Sequence, residues 1–480
     1  MDRPIPHNGA FRSMFRSALL ILSGNAAASL LLLARNLIIA RMIPVADYGV
    51  ASTFAIAMAV VEMASALGLQ QQIVQAKNGE DSHFQAALQG FQVLRGVISG
   101  VVLFVSAGLI ADFLNVPQAA WAYRVMALVP VLNAFTHFDV HRLNRSMVFW
   151  PVILTGAVPA LLSVLAIWPL AAWYGDYKVM LYAIVVQALM TAVISHLVSR
   201  RPYRLVLDRA VMTQSLRFGW PLLLNGILLF GVFNGDKLIV GRELGMETLA
   251  IFSMGFTLTL TPTLVMAKSA QNFFLPQLSV IDRSTPEGEA RFMHLAMVTY
   301  EVHFAFGLFL VVGTMLLGDS LVRILLGEKY LSLIPLMTWL SIMQAIRVFK
   351  GGPSCVALAE GKSENAMVSN LVRVGSLPLA WWVVAQGGGV LAVIWIAIAG
   401  ETIGFFMAVA LAGWRVSLPL KPLTLPVGMS FIMLALAGVQ TILIHNNQFG
   451  SAYIVAASVF VAFAASIFFM SDLKSYVARR

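Results

Sequence analysis

Fourteen apolar segments, each close to the length that crosses a hydrocarbon core of about 30 Å, take up most of this 480-residue chain. They lie near 17–43, 48–69, 87–111, 118–138, 147–170, 177–199, 215–241, 247–267, 293–317, 331–350, 365–386, 389–412, 424–444 and 450–470. Only 11% of the residues are charged, against about 25% in soluble domains, so a water-soluble fold is excluded. The segments are continuous rather than alternating, which excludes the short dyad-patterned strands of a β-barrel. The expected class is an all-α polytopic membrane protein with about 14 transmembrane helices. The basic stretch before residue 17 precedes an apolar run too long for the core of a signal peptide, so that run reads as a first span.

The formal charge of +10 does not point to nucleic acid, because no basic domain with interleaved aromatics is present. Its distribution sets the expected topology. Alternate loops and both tails hold Arg3, Arg12, Arg16, Lys77, Arg142, Arg145, the run Arg200, Arg201, Arg204, Arg209 and Arg217, then Arg283, Arg291, Lys350, Lys362, Arg415 and Lys421, and Lys474, Arg479 and Arg480. The intervening loops hold far fewer: Arg41, Lys178, Arg242, Arg323 and Lys329. A bias of roughly four to one places the first set, with both termini, in the cytoplasm. The single cysteine, Cys355, allows no internal disulfide and reads as a packing residue.

A repeat divides the chain. Shifted by 201 residues, Leu37, Ile38, Arg41 and Ser52 fall on Leu238, Ile239, Arg242 and Ser253, and Pro44 falls on Gly245 at the turn. Each copy opens a run of six apolar segments. The expected organisation is two pseudosymmetric six-helix lobes, 1–210 and 211–412, followed by an additional helix pair, 413–480. Internal repeats of this kind mark transporters, whose substrate path runs between the halves.

The run Arg41-Met-Ile-Pro-Val-Ala-Asp-Tyr-Gly-Val and the motif Gly68-Leu-Gln-Gln resemble the oligosaccharide (polysaccharide) flippases. These belong to the multidrug/oligosaccharide-lipid/polysaccharide exporter superfamily. In the second half Phe218-Gly-Trp-Pro, Asp236 and Gly241-Arg-Glu-Leu-Gly agree. The pattern departs at Ala250, which stands where the first copy has Gly49, and at Phe252, where the family often has tyrosine. The resemblance implies a flippase of the bacterial inner membrane. Its substrate would be an undecaprenyl-pyrophosphate-linked oligosaccharide, moved by alternating access for cell-surface polysaccharide synthesis. It implies as partners that lipid-linked substrate, membrane lipids, and polysaccharide polymerase and export machinery.

Charges at mid-helix cost roughly 2.5–3.5 kcal/mol on insertion scales and are functional candidates by default. The embedded cations are Arg35, Arg95, Arg124, Lys237, Lys268, Arg347 and Arg373; the embedded acids are Glu62, Asp236, Glu301 and Glu401. A cationic lumen suits a phosphate-bearing substrate, since guanidinium forks pair with phosphate oxygens. Arg35, Arg95, Arg124, Lys237, Arg347 and Arg373 are therefore the candidate substrate-binding residues. Two readings stay open for Arg95 and Arg124, lumen or snorkelling to a headgroup, and for Lys268 and Arg347, lumen or lipid contact at a span end. Glu62, Asp236, Glu301 and Glu401 are candidates for ion coupling or gating, with structural pairing as the alternative. Arg35 and Asp236 are repeat equivalents of opposite sign. Either they face a common cavity, or each is neutralised within its own lobe.

No metal-ligand spacing, nucleophilic arrangement or phosphate-binding loop appears, so no catalytic residue, metal or cofactor is expected. Two other functions remain. A drug or metabolite antiporter of the same fold would want an acidic lumen for cationic compounds. A membrane polymerase or ligase typically carries a long outer loop, and no expected outer loop exceeds about 15 residues. The topology is testable by cysteine labelling in intact cells. Position 205 should react only from the cytoplasm and position 174 only from the opposite side; the reverse pattern would invert the orientation.

Overall fold

The computed structural model describes residues 8–64, 67–362 and 364–478. Of the basic residues named above, Arg3, Arg479 and Arg480, and the side chains of Arg12 and Arg16, lie outside the described residues. Among the described residues the regular structure is helical, with no strand. The chain forms two compact units, Met1–Phe230 and Gly231–Arg480.

The first unit contains α1 (Asn8–Met42), α2 (Val45–Ala64), α3 (Leu69–Gln75), α4 (Ser82–Phe113), α5 (Ala120–Met126), α6 (Leu128–Ala134), α7 (Asp139–Arg145), α8 (Trp150–Leu165), α9 (Ile167–Trp173), α10 (Lys178–Val198) and the opening of α11 (Arg209–Ser279). The second holds the rest of α11, then α12 (Pro286–Leu325), α13 (Ile334–Phe349), α14 (Gly351–Ala359), α15 (Glu364–Gly375), α16 (Leu377–Ala385), α17 (Val390–Val416), α18 (Thr424–His445), α19 (Phe449–Phe469) and α20 (Ser471–Ala478).

Among the described residues, eleven helices are long and apolar enough to cross a membrane. The remaining expected spans are accounted for differently. Segments 215–241 and 247–267 both lie within α11, which breaks at Gly245. Segment 118–138 is divided between α5 and α6. Segment 17–43 lies in α1.

Proline explains most of the breaks inside spans. It cannot donate to the carbonyl four residues back, and its ring crowds that carbonyl. The helix is interrupted at Ala127 ahead of Pro130, at Ala166 ahead of Pro169, at Lys350 ahead of Pro353 and at Ser376 ahead of Pro378. Pro159 and Pro262 are carried within α8 and α11 without interruption. Threonines in α11 satisfy themselves: Thr257, Thr259, Thr261 and Thr263 each donate to the carbonyl four residues back, at 2.8–2.9 Å.

The two matched hairpins turn by different means. In the first, α1 ends at Met42 and Pro44 opens the turn into α2, where the Tyr48 amide donates to the Pro44 carbonyl. In the second, Gly245 holds φ 86° and ψ 169°, a conformation reserved for glycine. Ile39 and Ala40 in the first copy and Val240 in the second are fully buried.

In the second unit, α18 and α19 share one core with α12, α13 and α17. Met433, Leu434, Ala437, Val459 and Ala462 belong to the same apolar cluster as Phe304, Phe349 and Phe405. The rings of Phe304 and Phe349 meet edge-to-face at 5.1 Å.

Between α10 and α11 a helix-free strap, residues 199–208, is fastened along the start of α4. The Asp139 carboxylate accepts from the amides of Arg200 (2.8 Å) and Arg201 (3.2 Å) and from Arg142 Nε (2.6 Å). Arg201 donates to Gln85 Oε1 and to the Glu80 carbonyl, both at 3.0 Å. The Val206 amide donates to the Ala86 carbonyl at 3.1 Å. The strap passes so close to Gly90 that a Cβ there would lie 2.1 Å from the Val206 carbonyl oxygen.

Burial by itself would push the Asp139 carboxyl up, but the bonds from Arg142 and the two amides outweigh it and hold the group below its usual range. Such a carboxylate stabilises fully above the ordinary value of about 3.9 and loses its effect only as pH falls through the lower folded value. The Arg200 and Arg201 amides should therefore stay protected from hydrogen exchange, after correction for intrinsic rate, from neutral pH down to about pH 4. Asp139→Ala should cut that protection at least about tenfold at pH 7, because bonds to a charged acceptor are worth roughly 1.5–3 kcal/mol.

Candidate functional site

The first unit encloses a cavity of about 620 Å³. Its wall mixes aliphatic side chains such as Met58, Val61 and Val152 with a group of amides and hydroxyls. Gln92 and Ser99 come from α4, Asn133 from α6, Thr155 from α8, and Gln187 and Thr191 from α10, with Gln70 and Gln71 from α3. The lining also holds His141 and one carboxylate and one guanidinium, Glu62 of α2 and Arg95 of α4, which are electrostatic partners. The helices meet here through small residues: a Cβ on Gly96 would lie 2.1 Å from the Ala134 methyl, and one on Gly100 2.8 Å from the Ala127 carbonyl oxygen.

Arg35 meets this cavity through its wall. Buried on α1, it donates to Gln187 Oε1 at 2.5 Å and to Ser163 Oγ at 3.3 Å, and Ser163 in turn donates to the Ala183 carbonyl at 3.0 Å. The guanidinium thus fixes the rotamer of Gln187, whose side chain lines the cavity. Arg124, on α5, is exposed.

The second unit gathers charge in its interior. Glu401 of α17 is fully buried and shared by three cations. Arg347 of α13 reaches Oε1 through two nitrogens at 2.7 and 3.0 Å; Lys350, at the α13–α14 break, reaches Oε2 at 2.6 Å; and Arg373 of α15 approaches Oε1 at 3.4 Å. Arg373, itself fully buried, bridges onward to Asp236 of α11. It also donates to Ser376 Oγ at 2.8 Å, at the break ahead of Pro378. Gln344 holds Arg347 at 3.0 Å, and the same guanidinium lies over the rings of Phe233 and Phe256. Lys237 lies over the Phe256 ring as well, 4.6 Å from its centroid. Gly400 admits the crossing of Arg373, since a Cβ there would lie 3.3 Å from its Cδ and 2.6 Å from Ser376 Oγ.

The structure therefore pairs Glu62 with Arg95, brings Asp236, Lys237, Arg347, Arg373 and Glu401 into one network, and gives Arg35 and Asp236 separate partners, each within its own unit. Glu301 stands elsewhere. It is buried on α12 and accepts from the Leu473 amide at 2.6 Å, capping the start of α20, beside which His294 meets Asp472 at 2.7 Å. Among the described residues no group of three or more metal-ligating side chains occurs.

Sequence reasoning counted Lys350 as a loop charge and passed over the amides. A signal for the amides was available. Gln85, Gln89 and Gln92 recur at helical spacing along the first turns of an apolar segment. Lys350 gave no such signal, because its place in the interior depends on the break made by Pro353.

The network's energetics can be checked. Removing one partner of a buried charge cluster costs about 3–5 kcal/mol, because the others are left uncompensated. Glu401→Gln should therefore lower the unfolding midpoint of the purified protein. Adding Arg347→Gln should restore part of the loss; additive losses would mean that the pair is not coupled.

Residues 38–335 match the family described as "Polysaccharide biosynthesis protein". The chain is 22% identical over 346 residues to the lipopolysaccharide biosynthesis protein WzxC of Escherichia coli K12, covering 70% of this chain and 68% of the relative. It is 20% identical over 359 residues to the teichuronic acid biosynthesis protein TuaB of Bacillus subtilis 168, covering 74% and 73%. Its fold is similar to that of the lipid II flippase MurJ in an inward closed conformation, with a TM-score of 0.69 at 12% identity, over 96% of this chain and 99% of that one. It is similar also to an inward-facing multidrug resistance MATE family transporter of the MOP superfamily, with a TM-score of 0.66 at 15% identity, over 81% and 94%.

Proposed function

Because the chain belongs to the polysaccharide biosynthesis protein family, as its turn motifs led one to expect, we propose that it is a flippase for lipid-linked oligosaccharides. The cargo would be a sugar repeat unit on undecaprenyl pyrophosphate, carried by alternating access across the bacterial inner membrane, with both termini cytoplasmic. One observation supports this most directly: the cavity of about 620 Å³ lined by glutamines, an asparagine, serine and threonines within membrane-spanning helices. Sugar hydroxyls need both donors and acceptors, and each amide on this wall supplies both.

The charged groups divide by role. Arg95 supplies a cation on the cavity surface for a pyrophosphate or an acidic sugar, and Glu62 keeps it neutralised when the cavity carries no cargo. Arg35 positions Gln187 from behind. The Asp236–Arg373–Glu401–Arg347 network acts as a gate in the second unit. Its carboxylates would have to exchange cationic partners, or take up an ion, for α11, α13, α15 and α17 to move against one another. No covalent step is assigned to these residues.

The test is a deletion strain complemented with single variants. Loss of the protein should leave lipid-linked repeat units in the cytoplasmic leaflet. Arg95→Ala should reduce polymer export at least about tenfold, the effect of losing ~1.4 kcal/mol of binding, with the protein still inserted at normal abundance. Normal export by Arg95→Ala, or completed units stranded on the far side in the deletion strain, would overturn the assignment.

A further inference from the structure

Apart from the main cavity, the first unit holds a second and smaller one, of about 200 Å³, between the strap and the first turns of α4. Its chemistry is one-sided. Arg201 and Arg204 come from the strap, Ser82, Gln85 and Gln89 from α4, and His137 from the segment before α7. No residue lining it is acidic. The acids nearby in sequence are engaged: Glu80 with Arg142 at 3.3 Å and Arg201 at 3.5 Å, Asp81 with the amides of His83 (3.1 Å) and Phe84 (3.2 Å), Asp139 with Arg142 and the strap amides, and Asp208 with His83 at 3.0 Å. The Arg201 guanidinium gives two of its nitrogens to Gln85 and the Glu80 carbonyl, and of its five N–H groups some remain to face the cavity. Gln85 and Gln89 are 5% and 2% exposed, so their amides present a fixed wall rather than a solvated one.

The position of this cavity narrows the ligand. Ser82 begins one membrane-spanning helix and Val198 ends another, so the strap runs along the rim of the apolar region. Beside Arg204 it exposes two aliphatic side chains, Leu205 (49%) and Leu207 (66%). Guanidinium groups facing inward to a small polar cavity, with leucines facing outward at the same level, match an amphiphile whose phosphate is small and whose tails stay outside. The cavity takes a headgroup and has no room for an acyl chain.

We propose that this is a binding site for the phosphate of an anionic phospholipid, held by Arg201 and Arg204 against the opening turn of α4 while Leu205 and Leu207 lie among the acyl chains. The proposal does not rest on the transport reading. The bound lipid would brace the strap that leads into α11.

Native mass spectrometry of the full chain in detergent tests it, with phosphatidylglycerol and phosphatidylcholine of matched acyl chains as probes and inorganic phosphate as competitor. The wild type should retain phosphatidylglycerol over phosphatidylcholine by about thirtyfold, the scale expected of two arginines near a headgroup. Arg204→Gln should lower that preference about fivefold. Ser82→Asp provides a second variant that keeps the fold, because a carboxylate in the first turn of a helix is favoured there; by adding negative charge to the cavity it should abolish the preference. Equal retention of the two lipids, or an unchanged preference in both variants, would overturn the proposal. So would saturable binding of inorganic phosphate without preference between the lipids, which would make this a site for free phosphate.

Discussion

A polar group inside a membrane must find its partner within the protein, and this constraint organises the structure at every scale. Backbone groups meet it by folding as helices. Threonines of α11 meet it by bonding back one turn. The charged side chains meet it by converging. Glu401 does the most in the second unit, because three cations from two other helices and a helix break depend on one carboxylate. Remove it, and Asp236, bonded to Arg373, is the carboxylate left in the network.

The breaks that proline introduces are part of the same arrangement. At Lys350 and at Ser376 the helix path is interrupted two or three residues ahead of a proline. In both places a side chain at the break joins the charge network: Lys350 binds Glu401, and Ser376 accepts from Arg373. A straight helix would carry these side chains past the site. Glycine does the complementary work at Gly400, leaving room for the arginine to cross.

Much of this was legible in the sequence, and for identifiable reasons. Span length and continuity gave the helical membrane class, and the Arg41–Val50 turn gave the family. The embedded charges were visible as charges, since a lysine or arginine in an apolar run is conspicuous. What the linear pattern could not supply was who pairs with whom. Arg35 and Asp236 are equivalent by repeat, yet one is bonded to Gln187 and the other to Arg373, because partners come from helices distant in the chain. Arg347, near a span end, left lumen and lipid contact both open, and is a half-buried member of an ion pair with Glu401. The amide-lined cavity was the least visible feature, since glutamines in a helix carry no penalty large enough to mark them out.

The cap on α20 has a consequence in time. Glu301 enters the bilayer with α12, but the Leu473 amide that satisfies it is 172 residues further on. At about 5–20 residues per second of synthesis, the carboxylate waits roughly 10 to 35 seconds for its partner. During that interval it must be held by water, by headgroups or by the insertion machinery. The second unit is therefore completed only when nearly the last helix has been made, and a ribosome that stalls late would leave behind a chain with all its spans inserted and a bare acid in its core.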